Sequence, residues 1–221
     1  MERIMKVTGK GNLSVRPDTT RVLITLNELF PTYEEAVEKS TKRKAVLTKK
    51  FEDLGFAKSD LKTLDFSINP DYESYEEKGV WKRKLIGFRY NHRMKLEFPI
   101  DNKMLGKVFY ALAHTQGSPE FRVQYLIADP EPVKNKLLAK AIDDAKEKAA
   151  ILAEAAGVQL NEIVTIDYSW GTVEFASREY DYGVMSRSLK LEAADTNGYD
   201  IDIETDDIKT SDTVTVVWTI A

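Results

Sequence analysis

A chain of 221 residues, 43% hydrophobic and 31% charged, carries enough apolar material for one large domain or two small lobes with a buried core. Its net charge of −4 argues against a general nucleic-acid binder, which needs surplus Lys and Arg to neutralise phosphates. The absence of cysteine removes disulfides, thiolate nucleophiles and zinc–sulfur sites, and no apolar run approaches the ~18 residues of a membrane span. The first residues, Met1 to Val7, lack the apolar core of a signal peptide. The sequence as it stands therefore reads as cytoplasmic, or as exported if a leader has been removed.

Val7 to Val15 reads as a first strand, interrupted by Gly9 and Gly11. After a turn at Pro17-Asp18, Arg21 to Leu29 forms a second strand with Val22, Ile24 and Leu26 on one face. Thr32-Tyr-Glu-Glu35 is a capping box, in which the hydroxyl serves an early N–H and Glu35 reaches back to the cap. The helix it opens sets Tyr33, Val37, Ser40, Leu47, Phe51 and Leu54 on one side and stops at Gly55. Leu64, Phe66 and Ile68 alternate in a third strand, with Tyr72 as its extension beyond Pro70, and Glu73 to Lys84 reads as a charged loop around Gly79. Phe88, Tyr90, His92, Met94, Leu96 and Phe98 alternate through a long fourth strand. Asp101 or Asn102 then caps a helix with Leu105, Val108, Phe109 and Leu112 inward, closed by Gly117. Phe121, Val123, Tyr125 and Ile127 make a fifth strand.

The longest helix follows, an Ala-rich segment over about 131–156. Asp129 suits its N-cap, Pro130 its first helical position, and Gly157 the left-handed residue past its end. Leu138, Ile142, Ala145, Ala149, Leu152 and Ala156 form its apolar stripe. A sixth strand holds Val164, Ile166, Tyr168 and Trp170. Gly171 to Asp200 shows no sustained period and reads as a mobile or partner-contacting loop. A short strand over Tyr199–Glu204 and a last one with Val214, Val216, Trp218 and Ile220 complete the chain. This order gives an α+β fold of mostly antiparallel sheets, covered by helices on one side.

Candidate sites are sparse. Gly9-Lys-Gly11 has Ser14 where a dinucleotide fingerprint needs its third glycine, so a bulge or a close backbone approach accounts for it better. His92 and His114, the two histidines, cannot build a multi-histidine metal site. His92 falls on the apolar face of its strand and reads as packed or interfacial; His114 lies near a helix C-terminus. Asp200, Asp202 and Glu204 share one side of an extended segment and offer hard oxygens to a cation. The turn glycine of a calcium loop is missing, and a solvated strand edge is the simpler account. Lys42-Arg43-Lys44, Lys49-Lys50 and Trp81-Lys82-Arg83-Lys84 are basic clusters that read as solvent faces or as contacts for an acidic partner. There is no G-x-S-x-G elbow, a Cys–His pair is impossible, and no pair among 36 acids stands out for acid–base catalysis. No cofactor is implied.

Several of these pieces together resemble one family. Val7-Thr-Gly9-Lys-Gly11 followed by Val15-Arg-Pro17-Asp18 is similar to the N-terminal signature of the SIMPL-domain family. Gly87-Phe88-Arg89 resembles its mid-chain motif, and the helix from Ala141 through Lys148, Ala149, Leu152 and Ala153 to Gly157 resembles its most recognisable element. Val214-Thr-Val216 resembles its closing strand. The resemblance implies a single unit over 1–221 of two interleaved lobes, one of them ferredoxin-like. The outer lobe is expected over about 1–58 with 131–221, and the inner over about 60–130. It also implies a homo-oligomer, with links in some members to the cell envelope and oxidative stress, and brings no catalytic residues. Tyr90, His92 and Asn161 depart from the family pattern. The expectation is a non-enzymatic self-associating protein, with Trp81, Lys82, Arg83, Lys84, His92, Trp170, Tyr180 and Tyr182 at its contacts. A binding module for a peptide, small ligand or cation is the alternative, and a hydrolase with an acid-based site a further one.

Overall fold

The computed structural model describes residues 3–168, 175–176, 199 and 201–221, and of 180–181 the backbone. In chain order the elements are β1 (Ile4–Val15), β2 (Thr19–Phe30), α1 (Tyr33–Asp53), β3 (Lys62–Glu77), β4 (Val80–Pro99), α2 (Asn102–Ala113), β5 (Glu120–Leu126), α3 (Glu131–Ala156), β6 (Leu160–Asp167), β7 (Tyr180–Asp181) and β8 (Ile208–Ile220). The fold is α+β, with antiparallel strand pairing. Two compact units divide it: residues 1–18, 126–177 and 205–221, and residues 19–125 and 178–204. The expected lobes have other edges. β2 and α1 fall with β3 and β4, because β2 pairs with β4 from Thr19↔Pro99 to Phe30↔Phe88.

The first unit is a three-stranded sheet, ordered β1-β8-β6, with α3 packed on it. β1 and β8 pair without a break from Ile4↔Thr219 to Val15↔Ile208, so Gly9 and Gly11 are not bulges. They let the helix in. A Cβ at Gly9 would stand 2.0 Å from the Ala141 carbonyl oxygen, and one at Gly11 would stand 2.2 Å from that of Leu137. The face that α3 buries is therefore Val133, Leu137, Ala141, Ala145, Ala149 and Ala153. This corrects the expected stripe: Leu138 and Ile142 are only partly buried, and Leu152 is exposed. At closest approach the smallest side chains go inward and the larger ones flank. The expected cap moves by one residue as well. Pro130 is the N-cap, and Asp129 accepts from the Glu131 N–H at 3.1 Å. Gly157 closes the helix in the left-handed region at φ 65°, and the Val158 N–H returns to the Ala153 carbonyl.

The second unit is a five-stranded sheet, ordered β3-β4-β2-β5-β7, with α1 and α2 on one face. Its alternation is regular. Tyr90, His92, Met94, Leu96 and Phe98 of β4 are buried, while Arg89 and Arg93 are exposed. Val22, Ile24 and Leu26 of β2 and Val123 and Tyr125 of β5 join Leu47, Phe51, Leu105 and Leu112 from the helices. Thr32 caps α1 by accepting from the Glu35 N–H, and Asp101 caps α2 by accepting from Lys103 and Met104. On α1, Ala36 is buried whereas Tyr33 and Val37 are exposed, a correction to its expected inward face.

Two segments differ from their sequence reading. The charged stretch 73–84 is a hairpin rather than a loop, with β3 and β4 paired as far as Glu77↔Val80. Lys78 and Gly79 turn it, both at positive φ (54° and 77°), as a two-residue turn matched to strand twist requires. Residues 201–204 form no strand. They lie as a strap on the second unit's core, with Ile201 and Ile203 packed against it. The Asn102 amide donates to the Ile203 carbonyl at 3.2 Å, and the Tyr199 N–H donates to that of Gly106 at 3.3 Å. Backbone groups that a strand would pair are served by α2 instead. The stretch expected as a partner-contacting loop, 171–200, lies mostly outside the described residues.

Candidate functional site

Among the described residues, those singled out from the sequence do not converge on one cleft. Trp81, Lys82, Arg83 and Lys84 lie on the β3–β4 hairpin. β2 ends opposite Phe88, so beyond that point the hairpin is a two-stranded arm with no third strand among the described residues. The arm is exposed along its length, Trp81 at 71% and Val80 at 59%. Its two faces differ, because side chains alternate along each strand. Tyr72↔Leu85, Ser74↔Arg83 and Glu76↔Trp81 share one face, where the Arg83 guanidinium lies 4.8 Å from the centre of the Tyr72 ring. Glu73↔Lys84, Tyr75↔Lys82 and Glu77↔Val80 share the other, where Lys82 forms an ion pair with Glu77.

His92 sits elsewhere and is 4% exposed. Its Nε2 lies 2.9 Å from the Thr63 hydroxyl, which also accepts from Lys44 of α1 at 3.3 Å, and its ring meets Phe66 edge-on. Its Nδ1 is buried without a hydrogen-bond partner among the described residues. Burial pushes the imidazole below its ordinary pKa, nearby Lys44 adds to that shift, and Asp65 opposes it. The site suits a packed neutral histidine. His114 is exposed at the end of α2, where its Nδ1 lies 2.8 Å from the Tyr110 carbonyl.

The acidic candidates separate in the same way. Asp202 and Glu204 are exposed on the strap, while Ile201 and Ile203 between them turn to the core. Among the described residues no three His, Cys, Asp or Glu side chains gather as a metal site would require. Asp200, Trp170 and Tyr182 lie outside the described residues. Tyr180 is placed by its backbone, which pairs with Val123 at the β5–β7 edge.

Charge elsewhere is spent within the sheet. Arg21 and Lys95 both hold Glu97, at 2.6 and 3.0 Å. Burial alone would raise the Glu97 carboxyl, but hydrogen bonds and charge from these two partners hold it below the usual range. Arg89 spans Asp71 and Asn27, at 2.6 and 3.1 Å. A groove of about 180 Å³ between α1 and the turn after α2 is lined by Lys39, Lys42, Arg43, Val46, Thr115 and Gln116. It offers cations and amides, with no nucleophile–base pair.

Sequence reading named Trp81 to Lys84 and carried the third strand as far as Tyr72, but missed its continuation opposite them, Glu73 to Glu77. The signal was available in Lys78-Gly79, a turn pair flanked by Tyr72, Tyr75, Val80 and Trp81. Charge density masked it.

An α+β protein of helix-covered antiparallel sheets, with an exposed aromatic and basic arm among its described residues, is the class these observations define. The chain belongs to the SIMPL family, described as "Protein of unknown function (DUF541)", whose model matches residues 5–218. No curated protein matches it significantly.

Proposed function

We propose that this protein is a non-enzymatic, self-associating member of its family, acting through its surface. The exposed arm carries this reading. A lone two-stranded hairpin is at best marginally stable in water, yet this one extends well past the sheet with Trp81, Val80, Leu85, Tyr72 and Tyr75 exposed. Aromatic and Arg side chains in one exposed cluster are the usual energetic centres of protein contacts. The ferredoxin-like lobe of the reading is the second unit, supported by the run β2-α1-β3-β4-α2-β5 and the strand order β3-β4-β2-β5. The envelope and oxidative-stress links implied by the family resemblance belong to this proposal as roles of the assembled particle. The test is light scattering on a size-exclusion column at low and high salt. A discrete oligomer is expected, and a monomer at high micromolar concentration at both salts would remove the proposal.

A binding module is the second reading, favoured by the outer edge of β3, where Leu64 and Phe66 are 48% exposed beside backbone that pairs with no further strand among the described residues. Thermal-shift measurements with extended peptides and with calcium test it, since a ligand that binds only the native state raises the melting temperature.

A further inference from the structure

We infer that copies of this chain join through their arms, the β3 edge of one arm pairing with the β4 edge of the next. The inference rests on the self-association reading and adds the surface and its direction. Both edges of the arm are open among the described residues: β3 is the outer strand of its sheet, and β4 has lost β2 beyond Phe88. The two edges are oppositely charged. Over the arm β3 carries Glu73, Glu76 and Glu77 and no base, while β4 carries Lys82, Arg83 and Lys84 and no acid.

That pattern selects among the ways two arms can meet. Two β4 edges paired antiparallel about Arg83 put Lys82 opposite Lys84 and Arg83 opposite its own copy. Two β3 edges paired about Tyr75 put Glu73 opposite Glu77. Like charges directly opposite are destabilising, so both symmetric pairings are disfavoured. When β3 of one arm meets β4 of the next with the tips pointing the same way, the strands run antiparallel. Glu73 then falls opposite Lys84, Tyr75 opposite Lys82 and Glu76 opposite Trp81, as they do within one arm. The neighbouring strand also supplies the third strand that the ribbon lacks among the described residues. A contact that uses a different edge on each partner does not stop at two copies; it closes into a ring or, without closure, runs on as an open filament.

The experiment is light scattering on the full chain and on a variant in which Glu73–Leu85 is replaced by a two-residue Asn-Gly turn. The wild type is expected as a particle of three or more copies of the 25.1 kDa chain, and the shortened variant as a monomer with an unchanged melting temperature. Two charge-reversed variants are run beside them: K82E/R83E/K84E, and E73K/E76K/E77K. Each alone is expected as a monomer, and their equimolar mixture as a large particle again, because acidic arms now alternate with basic ones. A wild-type monomer would remove the self-association reading and this inference together. A wild-type oligomer whose mass survives arm shortening would overturn this inference alone. So would a particle that stops at a dimer, or a mixture of reversed variants that stays monomeric.

Discussion

Helices cover a sheet in both units, and the two coverings use opposite ends of the side-chain size range. In the first unit α3 meets β1 through Ala141, Ala145 and Ala149 over Gly9 and Gly11, with backbone against backbone. In the second, α1 and α2 meet the sheet through Leu47, Phe51, Leu105 and Leu112 over Tyr90, Met94 and Leu96. The first interface is a fit that tolerates no added atom. The second is a filled volume that tolerates no removed one. Overpacking and cavity formation are separate penalties, so the two interfaces fail under opposite substitutions.

The largest effect is expected at Gly9. Gly9→Val places branched carbons where a single Cβ already stands 2.0 Å from the Ala141 carbonyl and 2.7 Å from the Ala145 Cβ. A loss of about 4 kcal/mol or more is expected in urea unfolding. Hydrogen exchange should show β1 and β8 losing protection while β4 keeps it. Uniform loss across both sheets would break the comparison. Leu112→Ala in the second unit should cost roughly 2–5 kcal/mol by leaving a cavity, with the protection pattern reversed.

Acid should weaken the second unit through His92. The native imidazole has a lowered pKa, so below the ordinary value near 6.5 the unfolded chain binds a proton that the folded chain resists. Stability is therefore fully present above that pH and falls as pH drops toward the lowered native value. Melting temperature followed from pH 7 to 5 should decline less steeply in His92→Gln than in wild type. Parallel curves would remove His92 as the cause.

The smallest effects belong to the exposed parts. Gly79→Ala forces a Cβ onto a left-handed residue and should cost about 1 kcal/mol, confined to the arm and read by exchange at Tyr75 and Lys82. Arg89→Ala breaks an exposed pair with Asp71 and should cost under ~1 kcal/mol.

The second unit was more legible in the sequence than the first, and the reason is physical. Tyr90 to Phe98 alternate because one face of β4 is core and the other is polar, and Asp101 and Thr32 announce helix starts through their own oxygens. On α3, hydropathy ranks Leu138, Ile142 and Leu152 above alanine and so points to the flank rather than to the contact line. Only the proximity of Gly9 and Gly11 reveals that alanine is the inward residue, and that pairing joins Gly9 to Ala141, far apart in the chain. The arm was obscured for another reason: without a buried face, nothing in its pattern separates a hairpin from a charged loop except the Lys78-Gly79 turn.

The sequence by itself determined the α+β class, most strand and helix positions, the family and the lack of thiol chemistry, since these follow from local periodicity, capping groups and composition. Tertiary structure alone decided which face α3 buries, how far His92 is enclosed, that Asp202 and Glu204 ride outward on a strap, and that β2 stops at Phe88's partner Phe30, short of the 73–84 hairpin. Each of those depends on which distant backbone lies alongside, and steric exclusion and strand pairing set that only once the chain has folded.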